Sequence, residues 1–183
     1  MLSEGSFACI RPEGGVLPYG LSLDNYRFAT VMDLADLSQV YSSSFEVGNS
    51  QVPFHERDYS RDAASKIFED LFRFYEHFGL DLKDNDNTNW PDSILMELDF
   101  MHYLSHLESI AVNEDDILAL QRGQRDFLQR HLAPLVSGLA GKLSVLKITP
   151  YDQLSKLMND FVTHEHAALS RKVDGLLAVA MVE

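Results

Sequence analysis

Residues 60–79, SRDAASKIFEDLFRFYEHFG, carry the clearest periodic pattern in this chain and decide its fold class. Their apolar side chains recur at steps of three and four residues: Ala64, Ile67, Phe68, Leu71, Phe72, Tyr75 and Phe78. This repeat places apolar residues along one face of an α-helix. Ser60 can cap the first turn, and Gly79 can end the last one. The stretch therefore predicts an amphipathic helix between these two residues.

Helical periodicity continues on both sides of this stretch, and no segment of useful length alternates in the manner of a β-strand. A first helix is predicted over residues 24–44, from Asp24 to Ser44. Residues 45–59 and 81–89 are polar and rich in turn-forming residues, so both predict loops. Later helices are predicted to start at three places: near Pro91 and Asp92, at Asn113, and around Thr149 to Asp152. Pro134 should kink or interrupt the helix that starts at Asn113, because proline has no amide hydrogen.

Together these elements predict an all-α protein with a single domain. The chain has 183 residues and is 45% hydrophobic, which suffices for one sizeable core and is too little for two. We expect a single-domain bundle of about six or more helices over residues 1–183. Residues 1–20 are expected to form an irregular N-terminal segment.

The composition limits the classes of partner. The chain has 28 acidic and 15 basic side chains and a formal charge of -13, so a nucleic-acid backbone would be repelled. A basic peptide would instead be attracted. Cys9 is the only cysteine, which excludes an intrachain disulfide and a multi-cysteine zinc site. We find no secretory signal and no apolar run of the roughly 20 residues that cross a bilayer, so we predict a cytoplasmic protein without membrane insertion.

Residues 94–111 form the least ordinary of the predicted helices. A helical wheel separates a polar sector from a broad apolar arc, and Glu97 and Glu108 lie in the middle of that arc. A buried, unpaired carboxylate costs several kcal/mol, so each glutamate should have a partner or be neutral. Two interpretations stay open. Each glutamate pairs with an arginine or caps a neighbouring helix, or one of them lines a binding groove.

Two histidine pairs raise the question of a metal site. His102 and His106 are four residues apart, and His164 and His166 lie two apart in the last predicted helix. Neither pair has an obvious third ligand nearby, so a solvated polar face is the favoured interpretation for the first pair, and we predict no metal and no cofactor. Phosphate-loop and nucleophile-elbow motifs are also missing. The residues favour a binding protein, with a metal-dependent helical hydrolase using His102 and His106, or a plain helical adaptor, as alternatives.

The segment Trp90–Met101, WPDSILMELDFM, resembles the signature of the TorD/DmsD/NarJ family of redox-enzyme maturation chaperones. That signature is a proline and an acidic residue followed by a Glu-Leu-(Glu or Asp)-Phe-Met core. A second family element, Phe-Leu-x-x-His-Leu, is matched by residues 127–132, FLQRHL, about one helix further on. Residues 52–57, VPFHER, also resemble the branch that serves type II enzymes such as nitrate, selenate, chlorate, perchlorate, dimethyl sulfide and ethylbenzene oxidoreductases.

The resemblance implies a cytoplasmic, all-helical chaperone without catalytic turnover. The implied partner is the catalytic subunit of a molybdenum oxidoreductase of the dimethyl-sulfoxide-reductase class, often bound at its twin-arginine signal peptide. The chaperone would hold this subunit until its bis-molybdopterin-guanine-dinucleotide cofactor is inserted, before export. The acidic composition suits a peptide with paired arginines and an apolar middle. The family resemblance is compatible with a monomer or with a domain-swapped dimer.

Eight residues of the two motifs are implied to line or brace the client groove: Pro91, Asp92, Glu97, Asp99, Met101, Asp126, Arg130 and His131. Four apolar residues of the same motifs are more simply explained as core: Phe100, Met101, Phe127 and Leu132.

Overall fold

The computed structural model describes residues 17–26, 34–46, 51–80 and 90–180. These ranges contain six α-helices: α1 Leu34–Tyr41, α2 Ala64–His77, α3 Ile94–Ile110, α4 Glu114–Phe127, α5 Ala133–Leu146 and α6 Tyr151–Ala180. Three 3₁₀ turns and two π-turns complete the elements: Pro18–Gly20, Leu23–Asn25 and Glu56–Asp58, with Ser42–Glu46 and Leu128–Leu132. No β-strand forms in these ranges, although an isolated antiparallel bridge joins His55 to Ser93. The predicted all-α class is confirmed.

Helices α4 and α5 are joined directly by the π-turn Leu128–Leu132, so the six described helices form five continuous helical segments. Pro134 lies in the first turn of α5, where it cannot donate a backbone hydrogen bond. The predicted interruption is therefore confirmed, and it takes the form of a widened turn. The same π-turn contains Arg130, which is exposed, and His131, of which only 2% is exposed.

The predicted cap of α2 at Ser60 was wrong, and α3 begins close to the predicted position but two residues after Asp92. The hydroxyl of Ser60 accepts a hydrogen bond from the amide of Asp62 at 3.1 Å, which makes a local turn, and α2 begins only at Ala64. Helix α3 begins at Ile94, with Ser93 as the capping residue, so Pro91 and Asp92 lie in the preceding turn. At Ser60 the cause is that a serine side chain can satisfy a backbone amide in a turn as well as at a helix start.

The predicted start of the first helix was also wrong. Asp24 lies in a 3₁₀ turn, where its backbone amide donates a hydrogen bond to the side chain of Ser22. The backbone of Tyr26 is extended. The described part of helix α1 is Leu34–Tyr41. The predictions for residues 1–16, 27–33, 47–50 and 81–89 lie outside the described residues. By contrast, Asn113 caps α4 through the amide of Asp115, and α6 begins at Tyr151, as predicted.

The core lies where α2, α3, α4, the second π-turn, α5 and α6 meet. At its centre the rings of Tyr75, Phe100 and Phe127 pack edge to face, with centroids 4.8 Å apart for the first pair and 4.7 Å for the second. Phe100, Phe127, Met101 and Leu132 are all buried, which confirms them as core residues. None of the described helices is long and apolar enough to cross a membrane.

Candidate functional site

An apolar groove of about 510 Å³ opens between α1, residues 51–59, the start of α3, the end of α5 and the start of α6. Its lining residues are Tyr41, Phe45, Phe54, His55, Ser93, Ile94, Leu95, Leu98, Leu139, Leu143, Tyr151, Leu154, Ser155 and Met158. Leu139 and Leu143 are buried, whereas Leu95 is 60% and Leu154 is 52% exposed. Leucines left this exposed around a concave apolar surface are typical of a binding site.

Aromatic stacking builds one wall of this groove. The ring of Phe45, in the first π-turn, stacks on Phe54 at 4.9 Å and meets Tyr151 edge-on at 5.1 Å. The hydroxyl of Tyr151 donates to the backbone carbonyl of Leu37 at 3.3 Å, which ties α6 to α1. The wall therefore joins residues from three separate parts of the chain, which only the folded protein brings together.

The two serine hydroxyls in the groove are already engaged within the protein. The hydroxyl of Ser93 accepts from the amide of Met96, and that of Ser155 donates to the carbonyl of Asp152 at 2.9 Å. None of the groove's described lining residues is Asp, Glu, Lys or Arg. An apolar ligand could therefore enter the groove without burying a charged side chain of the lining.

Asp92 fixes residues 51–59, which we call the groove loop, against the start of α3. Its side chain is fully buried and accepts from the amide of Arg57 at 3.3 Å, and Nδ1 of His55 lies 3.4 Å from its Oδ1. Its backbone carbonyl accepts from the amide of Glu56 at 2.9 Å. The side chain and backbone carbonyl of this one buried residue thus contact three consecutive loop residues.

A close contact with α5 holds the other end of the groove loop. The ring of Tyr59 lies over Gly138, where a Cβ atom would come within 2.6 Å of the ring. The Tyr59 hydroxyl donates to the carbonyl of Pro53 at 2.7 Å. Glycine is needed at position 138 because the loop packs directly on the helix backbone.

A second, polar cavity of about 240 Å³ lies beside the groove loop, between α2 and the second π-turn. It is lined by Glu56, Asp62, Lys66, Ile67, Asp70, Arg130 and His131. Nδ1 of His131 lies 3.0 Å from Oε2 of Glu56, and Nε2 lies 3.2 Å from Oδ2 of Asp70. Arg130 also pairs with Asp70, and its guanidinium lies 5.2 Å from the centre of the Phe74 ring. Charged groups from three elements therefore meet here.

Glu97 is buried without a partner. It is 0% exposed, and within the described ranges neither of its carboxyl oxygens has a hydrogen-bond partner. Burial, followed by the negative charges of Glu56 and Asp92, raises the pKa of Glu97 well above its usual value. Glu97 does not line the groove and pairs with no described arginine. Glu108 differs, because it accepts from the side-chain amides of Gln121 at 2.7 Å and Gln124 at 2.6 Å.

The structure brings the two motifs together behind the groove. Asp92, Glu97 and His131 are buried, and all three are linked to Glu56 by contact or by charge. None of the eight predicted residues is among the described lining residues of the apolar groove. Their roles in binding stay predictions, and for the buried members a bracing position is the one the geometry favours.

The other predicted residues lie apart from this cluster. Asp99 is exposed, and Asp126 forms an ion pair with Arg125 at 2.7 Å. The backbone carbonyl of Pro91 accepts from the hydroxyl of Tyr75 at 2.7 Å, which gives this proline a structural contact. Met101 is a core residue.

Sequence reasoning missed most of the groove. Its floor residues in α5 and α6, such as Leu139, Leu143 and Met158, follow the same helical repeat as ordinary core residues. The VPFHER stretch was the one sequence signal that pointed to the groove, because Phe54 and His55 lie on the groove wall.

The histidine pairs find no support as a metal site. His102 and His106 are both exposed on α3. Among residues 17–26, 34–46, 51–80 and 90–180, no group of three or more His, Cys, Asp or Glu side chains is arranged to hold a metal ion.

Comparison with known proteins identifies relatives over most of the chain. A family model described as "Nitrate reductase delta subunit" matches residues 22–140. The selenate reductase assembly chaperone protein of Thauera selenatis is 30% identical over 147 residues, which are 76% of this chain and 74% of the relative. The dimethyl sulfide dehydrogenase assembly chaperone protein of Rhodovulum sulfidophilum is 30% identical over 161 residues, 80% of this chain and 64% of the relative. The chlorate reductase assembly chaperone protein of Ideonella dechloratans is 34% identical over 100 residues, 54% of this chain and 51% of the relative. The matches to the second and third relatives thus span less than two thirds of those proteins.

Proposed function

Because this chain belongs to the nitrate reductase delta subunit family, we propose that it is an assembly chaperone for the catalytic subunit of a molybdenum oxidoreductase of the dimethyl-sulfoxide-reductase class. The chaperone binds this subunit in the cytoplasm and holds it while the bis-molybdopterin-guanine-dinucleotide cofactor is inserted, before any export. It is not itself an enzyme. The names of the relatives, all assembly chaperones for reductases or dehydrogenases, support this proposal.

The observation that carries the proposal is the apolar groove. Its exposed leucines and aromatic wall suit an apolar segment that folds as a helix and inserts side chains at three- and four-residue steps. The occupant we propose is the N-terminal segment of the catalytic subunit, in particular the apolar middle of a twin-arginine signal peptide. The basic front of such a peptide would be drawn to a chain with a net charge of -13, and added salt would weaken that attraction.

Capture of the partner from the native host tests the identity of the client. The tagged chain should recover the large molybdenum-containing subunit of an oxidoreductase, identified by mass spectrometry. Recovery of a partner unrelated to molybdenum enzymes would favour a plain helical adaptor. A stoichiometric metal ion in the purified chain would favour the hydrolase alternative.

Substitution at the rim tests the groove. Leu95→Asp and Leu154→Asp each place a charge where we propose that an apolar side chain docks, so affinity for the N-terminal peptide of the captured subunit should fall at least about tenfold. Val112→Asp is the matched control, because Val112 is 95% exposed and does not line the groove. All three positions are exposed, so the melting temperature should change little. Equal affinities for the rim variants and the control would contradict the proposal.

A further inference from the structure

The apolar groove continues along α6 beyond the residues that line it. Leu154 and Met158 line the groove from α6. Successive residues of an α-helix are rotated by about 100°, so the side chains seven and eleven residues after Leu154 return to nearly the same face. These side chains are Phe161, which is exposed, and Glu165, which is half-buried. One face of α6 therefore carries an apolar stripe, from Leu154 through Met158 to Phe161, that ends at a carboxylate.

Tyr19 lies at the far end of this stripe. Its ring packs on Phe161, with the ring centroids 5.9 Å apart, and stacks on His164 at 6.0 Å. Its hydroxyl donates a hydrogen bond to the carboxylate of Glu165. The backbone of Tyr19 has a φ of 63°, a left-handed conformation that bulky residues rarely adopt. The fold thus holds an aromatic ring beside a carboxylate at the point where the apolar stripe ends.

Glu165 has room for a further hydrogen-bond donor. A carboxylate offers about four acceptor positions, and the Tyr19 hydroxyl occupies one of them. In the part of the chain that the structure describes, no lysine or arginine forms an ion pair with Glu165. Asp160, by contrast, accepts from the hydroxyl of Tyr26 at 2.9 Å and lies 3.7 Å from Nζ of Lys156. Glu165 can therefore pair with a cation of the partner.

The opposite end of the groove has a different charge. Leu143 and Tyr151 line the groove there, and the exposed Lys147 lies between them in the chain, where α5 ends. Helix α5 contains Lys142 and has no Asp or Glu. The N-terminus of α6 adds the positive end of its helix dipole, and Asp152 in the first turn offsets part of this charge. The groove thus has lysines near one end and an available carboxylate near the other.

We propose that the groove binds the N-terminal segment of the catalytic subunit in one direction, with its basic front on Glu165 and Tyr19, its apolar middle on the stripe and the groove, and its far end near Lys147. This inference rests on the proposed function of the groove. An arginine at the first position could pair with the carboxylate and stack on the tyrosine ring. A helical segment bound this way runs antiparallel to α6, so the positive end of its own dipole faces Glu165.

Photo-crosslinking to the N-terminal peptide of the captured subunit tests the direction. A benzophenone side chain replaces Phe161 in one variant and Leu154 in another, and the crosslinked peptide residues are identified by mass spectrometry. The two positions are about 10 Å apart along α6, a distance that about seven residues of a helical peptide cover. The residue crosslinked from position 161 should lie about seven residues closer to the arginine pair. The reverse order, or the same peptide residue from both positions, would overturn the inference.

Charge substitution tests the contact at Glu165. Glu165→Gln should lower the affinity for the peptide about two- to fivefold at low salt, a usual size for an exposed ion pair, and added salt should reduce the difference. Tyr19→Phe is the matched control, because it removes the hydrogen bond to Glu165 but keeps the ring and the carboxylate, so its affinity should stay close to that of the wild-type protein. Glu114→Gln, at the exposed start of α4, controls for the change in net charge.

A charge swap gives the reciprocal test. A peptide whose arginine pair is replaced by glutamates should bind Glu165→Arg more tightly than the wild-type protein. Equal affinities of the wild-type protein and Glu165→Gln, or an equal loss in Tyr19→Phe or Glu114→Gln, would overturn the inference. If Leu95→Asp still weakens binding in that case, the proposed function stands. Absence of peptide binding by the wild-type protein would overturn the proposed function, and the inference with it.

Discussion

As pH rises, the variant Glu97→Gln should become more stable relative to the wild-type protein. Glu97 is 0% exposed, and its pKa is raised first by burial and then by the charges of Glu56 and Asp92. The unfolded chain releases this proton near the ordinary glutamate pKa of roughly 4.3, whereas the folded protein retains it. Above that pH the folded state binds more protons than the unfolded state, so the free energy of unfolding falls by about 1.4 kcal/mol per pH unit until the folded group ionises. Glutamine has the same shape and no proton to lose.

The assay is urea unfolding of both proteins at pH 5.5 and pH 7.5. All other titrating groups are shared, so the difference in unfolding free energy between the variant and the wild-type protein isolates position 97. This difference should move in favour of Glu97→Gln over the two pH units, with an upper limit of about 3 kcal/mol that applies if Glu97 stays protonated throughout.

Glu108→Gln is the matched control for this assay. Glu108 accepts hydrogen bonds from Gln121 and Gln124, so its replacement should destabilise the protein at both pH values. A difference at position 97 that stays constant with pH would show that Glu97 is already ionised in the folded state at pH 5.5. A difference that moves in favour of the wild-type protein would equally contradict a raised pKa at Glu97.

Three helix positions give further tests by thermal or urea unfolding. Gly138→Ala would place a Cβ atom 2.6 Å from the ring of Tyr59 and should cost about 1–3 kcal/mol, whereas Gly141→Ala in the same helix meets nothing within 4 Å and should stabilise by up to about 1 kcal/mol. Equal effects at the two glycines would contradict the packing of the groove loop on α5. Asn113→Ala removes the cap of α4, in which the side chain accepts from the amide of Asp115 at 2.9 Å, and should cost about 1 kcal/mol. An unchanged unfolding free energy would show that this cap contributes nothing.

The helices were predictable because their periodicity records burial directly. In α2, Ile67, Leu71 and Tyr75 were assigned to the apolar face and are buried, whereas Phe72, assigned to the same face, is 40% exposed. Helix starts were less predictable, because a capping residue is recognised only by the backbone amide that its side chain meets. Asn113 meets such an amide at a helix start, whereas Ser60 meets one in a turn.

The candidate site was harder to predict than the fold. The two motifs indicated residues that the structure brings together, and the pairing of His131 with Glu56 joins the second motif to the VPFHER stretch. The groove itself depends on how α5 and α6 leave a gap beside α3, which no spacing within one helix encodes. An exposed Leu95 and a buried Ile94 look alike in the sequence, and only the packed structure separates them.

Photo-crosslinking from the groove tests the central claim most directly. A benzophenone side chain placed at position 95, and separately at position 112 as the control, is irradiated in cells that express the molybdenum enzyme. Position 95 should crosslink to the catalytic subunit within its N-terminal segment, and position 112 should not. Crosslinks of equal yield from both positions, or from position 95 only to other proteins, would contradict it.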